Sequence, residues 1–299
     1  MTIEPNSETA APVMTIHQDR ETLCRVVAED ILDRLQRAVA ADEVAHLALT
    51  GGGAGIGTLR AVADLIGSDV AADLDWSTVH LWWGDERLLP AGDAERNAQQ
   101  ADEALLDLLV AEHGLPESNI HRMPSTEDAV TPALGAEIYA EELASHASGH
   151  GHARLGLPRF TVLLLGVGPD GHIASLFPGK ASLGVTGCAT VGEDDSPKPP
   201  PGRVSMTFDA IHSAERVWLV VAGADKSEAV ARAFRDETPV EEIPAKNARG
   251  SAETVWHVDR AAASAVDVHL DDQAERDDDH PPHDSERDGE PVQVPFRHA

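Results

Sequence analysis

The feature that most constrains this chain is an apolar run of strand length that ends abruptly in turn residues. Residues 160–165 read Phe-Thr-Val-Leu-Leu-Leu, and residues 166–172 read Gly-Val-Gly-Pro-Asp-Gly-His. A nearly continuous apolar run of this length is typical of a parallel strand that is covered on both faces. Because ligands of open α/β sheets bind at the carboxyl ends of such strands, Asp170 and His172 are predicted to lie in a binding site.

The glycines and the histidine after this strand have distinct chemical uses. Gly166, Gly168 and Gly171 permit left-handed or crowded backbone conformations, and they let peptide N–H groups approach a ligand closely. The charge of the His172 side chain changes near neutral pH, which makes it the candidate proton carrier. Asp170 has two open interpretations: it orients the imidazole or a substrate hydroxyl, or it caps a helix that follows.

The rest of the chain alternates between helix and strand patterns. Apolar residues at spacings of three and four predict a first helix over residues 19–41. Further helices are predicted over residues 58–66, 98–109 and 131–146, and another follows residue 226 and ends at residue 234. Strands are predicted over residues 45–49, 78–83, 203–208, 217–222 and 254–258. This alternation, without an internal repeat, predicts an α/β fold with a Rossmann-like, doubly wound, mostly parallel sheet and helices on both faces.

The same patterns divide the chain into three parts. Residues 1–16 are expected to be a flexible lead-in and residues 17–265 a single α/β domain. Residues 266–299 are rich in Asp, Glu, His and Pro and poor in large apolar side chains, so burial cannot offset their ordering entropy and we expect an acidic disordered tail. Residues 193–202, rich in Pro and Asp, are expected to form a surface loop.

Charge and cysteine content exclude several classes of protein. A formal net charge of −29 over 299 residues argues against a nucleic-acid partner and disfavours anionic membrane surfaces. The sequence shows neither a signal peptide nor an apolar run of the roughly 20 residues that span a bilayer, so a cytoplasmic location is expected. Cys24 and Cys188 are too few for a disulfide framework or a thiolate metal cluster.

A glycine loop follows the strand predicted at residues 45–49. It begins Thr50-Gly51-Gly52-Gly53 and leads into a helical pattern, an arrangement that suits an anion because N–H groups and the positive end of the helix dipole meet there. The alternative is a tight turn with no ligand. The loop lacks the Gly-Lys-Ser/Thr ending of a Walker loop and the spacing of a dinucleotide fingerprint.

Two further polar clusters have more than one interpretation. Asp85, Glu86 and Arg87 follow the strand predicted at residues 78–83 and could be a solvated loop, although the planar fork of Arg87 suits a phosphate or a carboxylate. His146, His150 and His152 could bind a metal, but no carboxylate or thiolate at a fixed spacing completes the set. We therefore expect a flexible loop there and no metal.

Four motifs, which follow one another along the chain in the same order as in the family, resemble those of the 6-phosphogluconolactonases and their relatives, the glucosamine-6-phosphate deaminases/isomerases. They are Leu165-Gly-Val-Gly-Pro-Asp-Gly-His-Ile-Ala-Ser-Leu-Phe-Pro-Gly179, Thr50-Gly51-Gly52, Trp83-Gly-Asp-Glu-Arg87 with Asn97, and Arg203 with Gly223-Ala-Asp-Lys226. The resemblance spans about residues 17–265. Gly53 and Gly55 depart from the family's glycine-loop pattern, in which a second hydroxyl residue follows the glycines.

The resemblance implies hydrolysis of 6-phospho-D-glucono-1,5-lactone to 6-phospho-D-gluconate in the oxidative pentose phosphate pathway. It implies His172 as the general base, with Asp170 and Arg87 completing the catalytic set, and a substrate site formed by Thr50, Gly51, Gly52, Gly53, Asp85, Gly168, Gly171, Arg203 and Lys226. No cofactor is expected, because water is the only other reactant. The expected partner is the sugar-phosphate lactone alone, bound by a monomer or weak homodimer.

Three other functions stay open from sequence. Deaminases of this family follow Gly-His-Ile-Ala with Phe-Asn-Glu-Pro, whereas this chain has Ser175-Leu176-Phe177-Pro178 and so lacks the glutamate that assists the histidine. A non-catalytic sugar-phosphate sensor would retain the binding loops but has no need of His172. A serine hydrolase route through Ser175 lacks a Gly-x-Ser-x-Gly elbow, and Ser175 is expected to begin a helix.

Overall fold

The computed structural model describes residues 11–41, 43–68, 74–147, 155–266 and 292–294. The strands are β1 (Val13–His17), β2 (Ala45–Leu49), β3 (Val79–Trp83), β4 (Asp85–Arg87), β5 (Phe160–Leu165), β6 (Thr190–Glu193), β7 (Arg203–Met206), β8 (Arg216–Val221), β9 (Glu253–Asp259) and β10 (Val292–Val294). The α-helices are α1 (Arg20–Ala40), α2 (Gly52–Leu65), α3 (Asn97–Ala101), α4 (Asp107–Glu112), α5 (Pro132–Ser145), α6 (Phe208–Ser213) and α7 (Ser227–Ala233). A π-helical segment, Asp102–Leu106, joins α3 to α4.

A seven-stranded sheet organises these elements, in the order β10-β1-β9-β8-β5-β2-β3. All of its described pairings are parallel except that of β10 with β1. From β2 the chain first adds β3 on one side and later adds β5 on the other, so the strand order reverses between β2 and β5. In doubly wound folds a crevice opens at such a reversal, outside the carboxyl ends of the strands.

The two strands at this reversal are covered on both faces. Every residue of β2 and of β5 is buried. Because successive side chains of a strand point to opposite faces, complete burial requires packed layers on both sides of the sheet. The doubly wound α/β architecture predicted from the sequence is confirmed.

Helix α1 shows how the sequence produces the helical layer. Asp19 caps its first turn by accepting a hydrogen bond from the backbone N–H of Thr22 at 2.8 Å. Its apolar stripe is buried, and it packs against α2. A Cβ at Gly57 would lie 2.8 Å from the Cys24 sulfur, so a glycine is needed for this close approach of the helices.

A second, three-stranded antiparallel sheet in the order β4-β7-β6 stands beside the carboxyl end of the main sheet. Asp85 pairs with Ser205 and Arg87 with Arg203 in its register. The segment for which a solvated loop was the alternative is therefore a strand. Because alternate residues of a strand face opposite ways, Asp85 and Arg87 share one side and Glu86 takes the other.

The structure corrects the predicted domain boundaries at both ends. Residues 13–16, assigned to the lead-in, belong to β1, which pairs with β9 in the main sheet. Val292–Val294, assigned to the acidic tail, form β10 and pair with β1. Both strands are too short for a local pattern to reveal them. Residues 1–10, 267–291 and 295–299 lie outside the described part of the chain.

The predicted helix start at Ser175 is also wrong. Residues 169–180 form turns, in which Ile173 bridges to both Val167 and Leu176. Pro178 and Gly179, the latter at φ +69°, stop a regular helix from forming there. Asp170 consequently has no helix to cap, and its carboxylate instead contacts the His172 imidazole. Among the described residues, no helix is both long and apolar enough to cross a bilayer.

Candidate active site

A cavity of about 290 Å³ lies at the reversal point between β2 and β5. Predicted site residues that line it are Thr50, Gly51, Gly52, Asp85, Arg87, Gly168, His172, Arg203 and Lys226. Gly53 lines an adjoining cavity of about 250 Å³ that shares Gly51, Gly52 and Lys226 with the first. Asp170 does not line the cavity, but it contacts His172, which does. Gly171 also lies outside the lining and belongs to the turn that precedes His172.

His172 is paired with two charged side chains. Its Nδ1 lies 2.6 Å from Asp170 Oδ1, and the Lys198 ammonium lies 3.1 Å from each of these two atoms. Since an ionised carboxylate only accepts, the imidazole donates its Nδ1–H to Asp170. This tautomer leaves the Nε2 lone pair available to accept a proton. The side chain of His172 is 17% exposed, so the ring is held but solvent reaches it.

The carboxylate of Asp170 is strongly favoured over its protonated form. Burial acts to raise the pKa of Asp170, but the hydrogen bonds and positive charges of His172 and Lys198 outweigh it. The net effect holds the pKa of Asp170 well below its usual range. Asp170 is therefore ionised at neutral pH and serves as a permanent acceptor for the imidazole.

Gly168 and Phe177 fix the plane of the imidazole. A Cβ at residue 168 would lie 2.0 Å from His172 Nδ1 and 2.4 Å from Asp170 Oδ1, so only glycine leaves room for this pair. The Phe177 ring packs against the imidazole at a centroid distance of 4.5 Å. Gly171 adopts φ +80°, and its carbonyl accepts the backbone N–H of Ala245. Its requirement for glycine is conformational.

The glycine loop becomes the amino end of α2. Gly51 is the N-cap and Gly52, at φ +79°, is the first helical residue, so the first N–H groups of a 14-residue helix face the two cavities. Thr50 is buried, and its Oγ1 accepts the backbone N–H of Gly166 at 3.1 Å. That hydrogen bond joins the loop after β2 to the loop after β5.

Two cations stand near this helix end. Lys226 lines both cavities and pairs with the exposed carboxylate of Asp225 at 3.2 Å. Arg20 lines the second cavity, and its Nη1 would lie 3.5 Å from a Cβ at Gly53. A helix amino end flanked by a lysine and an arginine provides the electrostatics that a phosphate requires.

Asp85 and Asn97 form the polar wall contributed by β4 and α3. Asp85 is buried and accepts a 2.7 Å hydrogen bond from the Ser175 hydroxyl, which accounts for Ser175 without a nucleophilic role. Asn97 donates to the Asp85 carbonyl at 2.9 Å. Its Oδ1 is buried without a hydrogen-bond partner among the described residues. Because Asn97 lines the cavity, this oxygen can accept a ligand hydroxyl.

Glu86 and Arg87 have different tasks. The buried Glu86 carboxylate accepts the backbone N–H groups of Arg87, Asn97 and Ala98 at 2.8 Å each, so it anchors the start of α3 outside the cavity. Burial raises the pKa of Glu86 despite these bonds and the nearby Arg96. Arg87 lines the cavity and donates through Nη1 to the Glu95 carbonyl, while its buried Nε has no partner among the described residues.

Arg203 lines the cavity and is also hydrogen-bonded to the loop that carries Lys198. Its Nε donates to the Pro200 carbonyl at 2.8 Å, and its Nη2 donates to the carbonyls of Lys198 and Pro199. The guanidinium lines the cavity, but these bonds direct it chiefly to the loop that carries Lys198.

Sequence reasoning did not find Lys198 or Arg20. Lys198 lies in the Pro-rich segment that was predicted to be a surface loop, and only the folded chain brings it to His172. Arg20 is the first residue of α1, far from the glycine loop in sequence. The scarcity of lysines, four in the chain, was the one signal that pointed toward Lys198. His150 and His152 lie outside the described residues.

Comparison with known proteins gives a consistent result. The family described as "Glucosamine-6-phosphate isomerases/6-phosphogluconolactonase" matches residues 18–256. A 6-phosphogluconolactonase of Streptomyces coelicolor is 42% identical over 257 residues, which is 85% of this chain and 95% of that protein. A 6-phosphogluconolactonase of Mycobacterium leprae is 40% identical over 252 residues, covering 84% and 97% of the two chains.

Solved structures agree with this. The crystal structure of the devB protein superposes with a TM-score of 0.71 and 31% identity, over 85% of this chain and 99% of its own. The family match over residues 18–256 includes the residues that line both cavities.

Proposed function

This chain belongs to the glucosamine-6-phosphate isomerase/6-phosphogluconolactonase family, and we propose that His172 is its general base in a lactonase reaction. The reaction is the hydrolysis of 6-phospho-D-glucono-1,5-lactone to 6-phospho-D-gluconate in the oxidative pentose phosphate pathway. The observation that carries the proposal is the His172–Asp170 pair, 2.6 Å apart, at a cavity whose other wall is the amino end of α2. Relatives named 6-phosphogluconolactonase support the substrate.

The chemistry begins with water at the lactone carbonyl. His172 Nε2 takes a proton from this water as the water oxygen bonds to carbon 1. The tetrahedral intermediate then collapses, the bond from carbon 1 to the ring oxygen breaks, and the imidazolium returns its proton to that oxygen. Atoms and charges balance, and the product is the open-chain acid, which ionises in water. Positioned general bases contribute about 10²–10⁴-fold to such rates.

Lys198 serves this cycle as a positioning residue. Its ammonium bonds to Asp170 and stabilises the ionised carboxylate that holds His172 in the required tautomer. The same ammonium lies 3.1 Å from His172 Nδ1, so Lys198 contacts both members of the His172–Asp170 pair.

The developing oxyanion needs hydrogen-bond donors in place before the reaction. Arg87 is the candidate side chain, because its buried Nε is unpartnered among the described residues. The N–H groups of the loop at residues 166–171 are the backbone candidates, with Gly168 lining the cavity. Asn97 Oδ1 is assigned a sugar hydroxyl, and Asp85 is held beside it.

The phosphate is assigned to the amino end of α2. The N–H groups of Gly51, Gly52 and Gly53 would bind its oxygens, and Lys226 and Arg20 would neutralise its charge. Thr50 contributes a hydroxyl whose oxygen already accepts from Gly166. Arg203, which lines the first cavity and also supports the Lys198 loop, is a further candidate contact for the phosphate.

Amino-sugar phosphate deamination is the competing reaction within the family. Phe177 packs on His172 where those enzymes place a glutamate, so the histidine lacks that acid partner. A binding protein without catalysis is the competitor from another class. The imidazole of His172 is present and contacts both the Asp170 carboxylate and the Lys198 ammonium, which favours an enzyme over a binding protein.

A proton-release assay tests the proposal. Purified protein is mixed with freshly generated 6-phosphogluconolactone, and the rate is compared with spontaneous hydrolysis and with unphosphorylated gluconolactone. We expect rapid hydrolysis of the phosphorylated lactone alone. Hydrogen bonds to charged groups contribute about 1.5–3 kcal/mol, so Lys226→Met should lower kcat/KM about 10- to 100-fold and leave the slow gluconolactone rate unchanged.

Two other outcomes would contradict the proposal. A wild-type rate equal to the spontaneous one, with turnover of glucosamine 6-phosphate, would establish the deaminase. Binding of 6-phosphogluconate without turnover of either substrate would establish the sensor. The small lactone is the partner proposed here, with a cytoplasmic location and a monomer or weak homodimer as the assembly; light scattering on the eluted protein measures the last of these.

A further inference from the structure

Three histidines from separate elements meet at the amino end of β3, away from the catalytic cavity. His80 is the second residue of β3, His121 follows Ile120, which bridges to Leu81 at the sheet edge, and His146 is the C-cap of α5. One ring nitrogen from each lies within 4.8 Å of the others. We call these three residues the histidine cluster.

The outer contacts of the histidine cluster orient two of its rings. His121 Nδ1 lies 2.7 Å from Glu142 Oε1, so it donates to this carboxylate and turns its Nε2 lone pair toward His80. His146 Nδ1 lies 2.8 Å from Ser145 Oγ and 3.2 Å from the Glu142 carbonyl. Because Ser145 Oγ donates its own proton to that carbonyl at 2.7 Å, both groups accept from Nδ1–H, and Nε2 of His146 keeps its lone pair. Metal-binding histidines characteristically have such carboxylate or carbonyl partners on the other nitrogen.

The third ring completes the arrangement. His80 Nδ1 lies 2.8 Å from His121 Nε2, a contact that a proton bridges in the metal-free chain and that a metal ion would replace. A fourth ring, His46, accepts from Trp82 Nε1 at 3.1 Å through Nδ1, so that nitrogen is not available.

We propose that His80, His121 and His146 bind one Zn²⁺ ion. Three imidazole nitrogens at zinc distances of about 2.0–2.1 Å and one water would give tetrahedral coordination, and imidazole ligands suit zinc above the hard cations. His146 is 29% exposed, which provides an entry path, whereas His121 is only 2% exposed. The indole of Trp82 stacks on His121 at 3.8 Å and holds that ring in place.

The position of the site assigns it a stabilising role. His80 lies on the edge strand of the main sheet, and His146 ends the helix that packs on the second sheet. An ion held by both would tie α5 to the sheet edge at the end opposite the catalytic cavity. Because only the folded chain presents all three ligands, zinc would raise the unfolding temperature without entering catalysis.

The test is zinc binding by the full chain without an affinity tag, after treatment with EDTA and exchange into metal-free buffer. Competition with a chromogenic chelator should give one Zn²⁺ per chain, and Co²⁺ should give the intense visible absorption of a tetrahedral site. Unfolding followed by circular dichroism should shift to higher temperature with zinc. Absence of stoichiometric zinc binding would overturn the proposal.

Matched variants locate the ion. His146→Gln and His113→Gln each replace the C-cap histidine of a helix, but only His146 belongs to the cluster. We expect His146→Gln to weaken zinc affinity at least about 100-fold and Glu142→Gln about 10-fold, with His113→Gln unchanged. Unchanged affinity in His146→Gln would overturn the assignment, because zinc would then be held elsewhere on the chain. Lactonase activity and the metal-free unfolding curve of His146→Gln check that it folds.

Discussion

The two ends of the main sheet use histidine in opposite ways. At the carboxyl end, His172 contacts a carboxylate and an ammonium and faces a cavity. At the amino end, His80, His121 and His146 contact one another and the Trp82 indole. Charged neighbours with open space favour transfer of a proton. Mutual packing of neutral rings favours donation of a lone pair to a metal. The same side chain thus acquires its role from what surrounds it.

Burial dominates the electrostatics of the amino end. Together with a smaller effect of the adjacent imidazoles, it lowers the pKa of His46 to about 3 and that of His80 to about 4. It also lowers the pKa of His121, although Glu142 acts in the other direction. Rings held neutral in this way exchange no protons near pH 7.

The sharpest test of the contrast compares one histidine from each end. His172→Gln should lower kcat about 10²–10⁴-fold with little change in KM, because the base is lost while the phosphate contacts remain. His146→Gln should retain the wild-type kcat. Steady-state kinetics with 6-phosphogluconolactone, corrected for spontaneous hydrolysis, measures both. A comparable loss of kcat in the two variants would remove the distinction between the ends.

A second test disturbs the catalytic end without touching a polar group. Gly168→Ala places a methyl group where the imidazole and the Asp170 carboxylate now lie. Displacement of a catalytic group by about 1 Å can cost about 10²-fold, and we expect a loss of kcat of that order. Gly92→Ala is the matched control, since nothing lies within 4 Å of its Cβ position. Retained kcat in Gly168→Ala would mean that the ring position is not critical.

The smallest effect concerns stability and pH. The folded-state pKa of Asp170 is depressed, so its carboxylate contributes stability above its unfolded pKa of about 4, and this contribution is lost as pH falls through the folded value. The difference in unfolding free energy between wild type and Asp170→Asn should therefore be constant from pH 7 to pH 5 and shrink below about pH 4. Urea unfolding measures it.

The control for that prediction is Lys198→Met, which removes one of the two cations that depress the pKa of Asp170. Its unfolding free energy should depend less on pH in the acid range than that of the wild type. An Asp170→Asn difference that is equal at pH 3 and pH 7 would contradict the assignment of Asp170 as an ion-paired carboxylate.

The sequence sufficed for features that depend on local pattern. The uninterrupted apolar residues of β2 and β5 predicted buried parallel strands, and the loops that follow them identified Thr50 and His172 as neighbours across one crevice. The strands β1 and β10 were missed because they are short, with five and three residues. Their stability comes from pairing with β9 and with each other, which no local pattern encodes.

The contacts that the sequence could not supply join distant residues. Lys198 contacts His172, and the buried Arg203 donates to carbonyls of the loop that carries Lys198. His80 and His121 are 41 residues apart, so no ligand spacing could reveal the histidine cluster, and the sequence analysis expected no metal. Arg203 was predicted to bind phosphate, and its hydrogen bonds to the loop were not foreseen.

The hydrogen bond from Gly166 to the Thr50 hydroxyl has a consequence for selectivity. It joins the loop proposed to receive the phosphate to the loop that carries the proposed base, so neither can move outward without breaking this hydrogen bond. The protein, and not the ligand, then sets the distance between the position of the phosphate and the position of the reacting ester. Lactones of equal charge but with the phosphate one carbon nearer the carbonyl would fit one loop or the other, but not both at once.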